Sequence, residues 1–105
     1  MVLYEDFTKL DIRIAKVLTA EKVENTEKLL KMSIDIGGEI RTIVAGIAKE
    51  YPPQTLIGKK IVVLVNLAPR TIKGIESNGM LLAAVGNGPV LLIPEKDVKE
   101  GTRVG

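Results

Sequence analysis

The chain has 105 residues, of which 46% are hydrophobic, 27% charged and 3% aromatic, with no cysteine and no histidine. One domain of this size and apolar content can build a packed core, which argues against disorder; without cysteine, disulfides, thiolate nucleophiles and cysteine-ligated zinc are excluded, and without histidine the side chain most used for acid–base work near neutral pH is missing. Net charge is +2, but residues 40–75 hold six basic side chains and one acid, which concentrates positive charge in the middle of the chain.

Met1 to Leu10 has no strand alternation. Tyr4, Phe7 and Leu10 recur every third residue, which predicts one or two helical turns with Phe7 plugging a barrel end. Asp11 to Val23 reads as a long strand. Ile12 and Ile14 share one parity and Val17 the other, a slip that predicts a bulge and a bend. Leu30 to Ile36 alternates strictly: Leu30, Met32, Ile34 and Ile36 face one way, Lys31, Ser33 and Asp35 the other. Gly37-Gly38 predicts a tight hairpin into a strand from Arg41 to Ile47. Lys31 and Arg41 are then expected to point outward on neighbouring strands.

Ala48 to Lys60 contains adjacent prolines, which cannot donate to a central ladder, and predicts a loop with a helical turn around Pro53 to Leu56. Ile61 to Val65 is apolar at both parities and reads as a strand buried on both faces. Asn66 to Gly79 carries Asn66, Arg70, Lys73, Glu76, Ser77 and Asn78 between two apolar strands. A connection so rich in hydrogen-bonding groups belongs on the surface and predicts the binding site. Met80 to Val85, a Gly86–Pro89 turn, and Val90 to Ile93 form a closing hairpin, followed by a charged tail from Pro94 to Gly105. Five or six strands with little helix predict an all-β oligonucleotide- and oligosaccharide-binding (OB) barrel, with a short helix and N- and C-terminal extensions, spanning residues 1–105 as one domain. A β-sandwich is the alternative.

No phosphate-cradling glycine motif, metal-ligand spacing or nucleophile–histidine pair is present. Ser77 has only Lys73 as a possible activator. The expectation is therefore a non-catalytic protein with no cofactor and no metal. No apolar run reaches the roughly 20 residues of a membrane-spanning helix. The start, MVLYEDFTKLD, lacks the basic-then-apolar order of a secretory signal. A cytoplasmic protein without a membrane partner is expected. With three aromatics, base stacking cannot dominate nucleic-acid binding. Lys and Arg on phosphates, with Asn and Ser on sugar or base edges, would read backbone and shape, as proteins on structured RNA do. Arg70 can hold a phosphate at two points. Met80 reads either as core filler or as an apolar contact for an unstacked base.

The segments LDIRIAKV, EKLLKMSIDIG, RTIVAGIA, VNLAPRTIKGIESNGMLLAA and GTRV resemble the tRNA-binding domain found at the C-terminus of many methionyl-tRNA synthetases and in free-standing structure-specific tRNA-binding proteins. The likeness runs from about Phe7 to Val104. It implies an OB barrel that binds tRNA largely without sequence preference, forms a homodimer and assists a methionyl-tRNA synthetase catalytic chain. Carried onto this chain, the implied contacts are Asn66, Arg70, Ser77 and Met80, flanked by Lys31, Arg41 and Lys73. A CsaA-like branch of the same family implies the alternative, a secretion chaperone that binds unfolded peptides. Ala68 and Ala15 stand where many members have lysine and glycine.

Overall fold

Alternating apolar runs become the staves of a curled antiparallel sheet. The computed structural model describes residues 1–105. In chain order it contains α1 (Tyr4–Phe7), β1 (Ile12–Lys22), β2 (Leu30–Asp35), β3 (Ile40–Ala45), a 3-10 turn (Pro53–Thr55), β4 (Lys60–Leu64), β5 (Arg70–Ile72), β6 (Ile75–Ser77), β7 (Met80–Leu81), β8 (Ala83–Gly86), β9 (Gly88–Leu91) and β10 (Arg103–Val104). The main sheet runs β3-β2-β1-β4-β7, with β10 against the start of β1. Two hairpins, β5–β6 and β8–β9, stand apart from it. The result is an OB-like half-barrel.

The inner face is packed by Val17, Leu30, Met32, Ile34, Ile43, Ile61 and Val63, all essentially inaccessible, with Leu56 from the proline-rich loop buried beneath them. Outside the barrel, Ile12, Ile14, Val62 and Leu64 form a second cluster, covered in part by Leu82, Val98 and Val104. Both faces of β4 are therefore buried, as its unbroken apolar run requires.

The second cluster changes the reading of β1. Its change of parity between Ile14 and Val17 is not a slip: Ile12 and Ile14 serve the outer cluster, while Ala15 and Val17 serve the inner core. The bulge lies further on. Val17 pairs with Ile34 and Thr19 with Ser33, leaving Leu18 unmatched, and beyond it Ala20 packs on the inner core.

The barrel seam, between β3 and the end of β6, is held by two hydrogen bonds. Asn78 N–H donates to the Thr42 carbonyl at 2.9 Å, and Val44 N–H donates to Ser77 Oγ at 2.9 Å. Gly79 lets the chain pass this seam. Its φ is +143°, and a Cβ there would sit 3.2 Å from the Leu64 carbonyl oxygen and 3.4 Å from Ile43 Cγ2.

Three further expectations need correction. Phe7 plugs nothing: α1 has no buried residue, and Tyr4 and Phe7 are exposed. The inner-facing position at that end of β3 belongs instead to Arg41, whose guanidinium donates to the Val65 carbonyl, alongside the Arg13–Asp11 pair at the start of β1. Second, Met80 to Val85 is not one strand. It breaks at Leu82, so that β7 pairs with β4 and β8 with β9. Third, the polar connection Asn66 to Gly79 is not a bare connection but contains the β5–β6 hairpin, turning through Lys73 (φ +50°) and Gly74 (φ +78°). Two successive left-handed residues give the turn the twist that a two-residue hairpin needs.

The charged tail is tied down by backbone. Ile14 N–H donates to the Thr102 carbonyl at 2.8 Å and Gly101 N–H to the Ile14 carbonyl at 2.7 Å. Lys60 Nζ reaches Asp97 at 2.7 Å and Glu100 at 3.6 Å. Gly37, in the β2–β3 turn, meets Gly101 so closely that a Cβ on Gly37 would lie 2.8 Å from the Gly101 Cα.

Candidate nucleic-acid interface

The β5–β6 hairpin organises the candidate surface. Its register pairs Arg70 with Ser77, Thr71 with Glu76 and Ile72 with Ile75. Directly opposed residues share a face, so Arg70, Ile72, Ile75 and Ser77 lie on one side and Thr71 and Glu76 on the other. Arg70 and Ile72 line a cleft of about 310 Å³ with Met80, Leu29, Val44 and Pro89 among its walls. Eight of its eleven lining residues are hydrophobic. Arg70 makes no salt bridge or side-chain hydrogen bond and is exposed, so its guanidinium is available at this apolar cleft. Met80 is 44% exposed, which identifies it as cleft wall rather than core filler.

Lys73, at the hairpin tip, faces a second cleft shared with Asn25, Thr26, Glu27, Lys28 and Leu29. Leu29 lines both clefts, so they adjoin. Lys31 lies on the other flank, beside Ile75, and is within 3.9 Å of Glu21. Lys28 joins the group without having been singled out in the sequence; its place in a mixed-charge loop carries no periodic signal. Of the nearby acids, Glu27 is engaged by Lys49 at 3.5 Å and Glu21 by Lys31. Arg70, Lys73 and Lys28 have no acidic partner.

The other three predicted contacts are used internally. Ser77 is 5% exposed, accepts the Val44 amide and donates weakly to the Gly79 carbonyl at 3.4 Å. Asn66 accepts the Asp11 amide at 2.8 Å and donates to the Lys9 carbonyl at 2.7 Å, fastening the N-terminal segment to the barrel. Arg41 does not point outward as Lys31 does. It pairs with the core residue Ile34, whereas Lys31 pairs with Val44, so the two lie on opposite faces of their strands. Glu39 accepts from Arg41 Nε at 2.8 Å, which holds the Glu39 carboxyl below the usual range. Arg41 is the second residue of β3, three residues and about 10 Å of strand before the cleft wall at Val44. Lys31, Arg70, Lys73 and Met80 are thus gathered around one hairpin, and Asn66, Ser77 and Arg41 are not part of that surface.

No group of three or more His, Cys, Asp or Glu side chains is arranged to hold a metal ion. No helix is long and apolar enough to cross a membrane.

Residues 12–103 match the family described as "Putative tRNA binding domain". This chain belongs to the tRNA-binding domain family. It is 59% identical over 101 residues to the methionine–tRNA ligase of Archaeoglobus fulgidus, covering 95% of this chain and 15% of that protein. It is 54% identical over 101 residues to the ligase of Thermotoga maritima, covering 95% of this chain and 16% of that protein. The chain therefore spans about 15% of the length of these relatives. Among solved structures, a MetRS-related protein from Pyrococcus horikoshii superposes with a TM-score of 0.93 at 40% identity, covering 100% of this chain and 98% of the other. The chaperone CsaA of Bacillus anthracis superposes with a TM-score of 0.91 at 34% identity, covering 100% and 99%. The tRNA-binding domain is a binding fold rather than a catalytic one, and family membership accounts for the OB-like barrel and for the likeness to one region of the methionine–tRNA ligases.

Proposed function

We propose that this chain is a non-catalytic, single-domain tRNA-binding module that assists a methionyl-tRNA synthetase in the cytoplasm, and that it reads tRNA by shape and backbone rather than by sequence. The observation that carries this reading is the unpaired Arg70 beside the hairpin cleft, with Lys73 and Lys28 close by. A guanidinium without an acidic partner can hold a phosphate at two points, and no base-edge reader surrounds it. Joined to a synthetase covalently or as a subunit, such a surface raises the local concentration of tRNA without altering the chemistry.

A homodimer fits the exposed N-terminal apolar residues. Val2, Leu3 and Tyr4 are at least 65% exposed and α1 buries nothing. A second copy of the same segment is the symmetric way to cover them.

Arg70→Ala tests the tRNA reading. Affinity is expected to fall about tenfold across several tRNA species, and the slope of log affinity against log salt to shrink by about one. Binding that ignores both the substitution and the salt overturns it.

A second reading, a chaperone for unfolded peptides, is favoured by the likeness to CsaA and by the apolar lining of the cleft. Competition between tRNA and an unfolded peptide, followed by the displacement of either, separates the two.

A further inference from the structure

We infer that the cleft beneath Arg70 is a receptor for a single unpaired nucleobase, so that the RNA must present an extruded nucleotide as well as a charged backbone. This rests on the tRNA reading above and specifies which part of the RNA the site takes.

Three features carry the inference. The cleft is too apolar for a phosphate track alone: Leu29, Val44, Ile72, Met80 and Pro89 form walls that gain from contact with a flat, poorly hydrated ring. Apart from Arg70, it presents no charged side chain, so nothing in it repels or competes with a neutral base. Cations lie in and beside it, where the backbone next to such a base would run. Arg70 lies in the cleft wall, and Lys28 and Lys73 lie in the adjoining cleft across Leu29.

A paired base cannot enter, because both of its faces are stacked and its edge is engaged. An unpaired base in a loop or bulge can be splayed outward and held by apolar contact and a guanidinium plane. The chain has few aromatics, and none lines this cleft. Met80 and Ile72 therefore supply the packing that aromatic side chains give in other single-strand binders. Lys28 becomes a further RNA-contacting residue, reaching the phosphate on the Lys73 side.

The test uses the full chain and three RNAs: a tRNA, a hairpin with one bulged 2-aminopurine, and the same hairpin with that nucleotide deleted. The bulged RNA is expected to bind about tenfold more tightly than the deleted one, as the loss of one held base predicts. The 2-aminopurine emission should change on binding. Met80→Ser and Ile72→Ser should abolish both the preference and the emission change, and Met80→Ser should do so with a melting temperature near wild type because Met80 is exposed. Lys28→Ala should lower affinity for both hairpins alike. Equal binding of bulged and deleted hairpins, with tRNA still bound and still sensitive to Arg70→Ala, overturns the nucleobase receptor and leaves the tRNA reading standing. Absence of tRNA binding overturns both. Loss of unfolded-peptide binding in Met80→Ser, with RNA binding unchanged, assigns the cleft to peptide and overturns the inference.

Discussion

Ser77 Oγ accepts the Val44 amide at 2.9 Å across the barrel seam. A side chain thereby supplies one of the two links that a continuous strand pairing would have supplied with backbone. β6 ends at Ser77, and β7 turns away to pair with β4, so the Val44 amide has no strand partner at that point. Removing the hydroxyl leaves a buried N–H unsatisfied. Ser77→Ala is expected to cost about 1–3 kcal/mol of stability. Urea denaturation measures this. At a temperature where the variant remains folded, its tRNA affinity should match wild type; an affinity loss without a stability loss would show that the hydroxyl meets RNA directly.

Asn66 links the barrel to the N-terminal segment through both ends of its amide. Asn66→Ala is expected to release residues 1–10 while the barrel stays closed, at a cost of about 1–2 kcal/mol for two partly exposed hydrogen bonds. Amide exchange should quicken at Asp11 and not at Ile34. If the exposed N-terminal residues form the dimer contact, the dimer dissociation constant rises in this variant while tRNA affinity per protomer is kept at saturating dimer concentration. Analytical ultracentrifugation checks the first expectation and anisotropy titration the second.

Legibility in the sequence followed the length of each periodic run. Leu30 to Ile36 alternates without interruption, and β2 lies where that pattern put it, with Leu30, Met32 and Ile34 inside. Gly37-Gly38 marked its turn, where both residues have positive φ. The β5–β6 hairpin was hidden because its strands are three residues each, too short to display a period, and because a lysine occupies a left-handed position usually marked by glycine or asparagine. Arg41 was misassigned for another reason. It shares the parity of Ile43 and Ala45, which turns it inward; a simple hairpin register opposite Lys31 points it outward instead. Phe7 carried no usable signal, since an aromatic residue looks equally suited to a core and to an uncovered contact surface. Lys31, Arg70, Lys73 and Met80, all singled out by the sequence, lie around the hairpin. Lys28 was not, because only the fold brings its loop beside the hairpin tip.

Lys60 fastens the C-terminal tail through Asp97, Glu100 and the Val98 carbonyl. The hydrogen bond from Lys60 holds the Asp97 carboxyl below its ordinary range, and Asp97 in turn raises Lys60. Stability from the lysine is fully present below its unfolded value, about 10.4, and is lost as pH rises through the higher folded value. Stability from Asp97 is present above about 3.9 and is lost as pH falls through the lower folded value. The tail should therefore be most firmly held between these limits and loosen at either extreme. Lys60→Met is expected to remove that dependence and to speed amide exchange at Gly101 and Ile14 at neutral pH, while exchange at Met32 is unchanged. Because Asp97 is largely exposed, raising salt in the wild type should reproduce part of the effect.

Asp35 accepts hydrogen bonds from both glycines of the β2–β3 turn, Gly37 N–H at 2.8 Å and Gly38 N–H at 2.9 Å. These two donors, Gly37 first, lower the Asp35 carboxyl below its ordinary value. The folded state therefore binds its proton less readily than the unfolded chain does. Its stabilising contribution is present above the unfolded value, about 3.9, and disappears as pH falls through the lower folded value. Asp35→Ala is expected to be less stable than wild type at pH 7. The gap should narrow steadily as pH falls below the unfolded value and through the lower folded one. Denaturation midpoints measured at several pH values test this directly: a gap that stays constant across the acid range would mean that the side chain acts by packing and not by its charge on the turn amides.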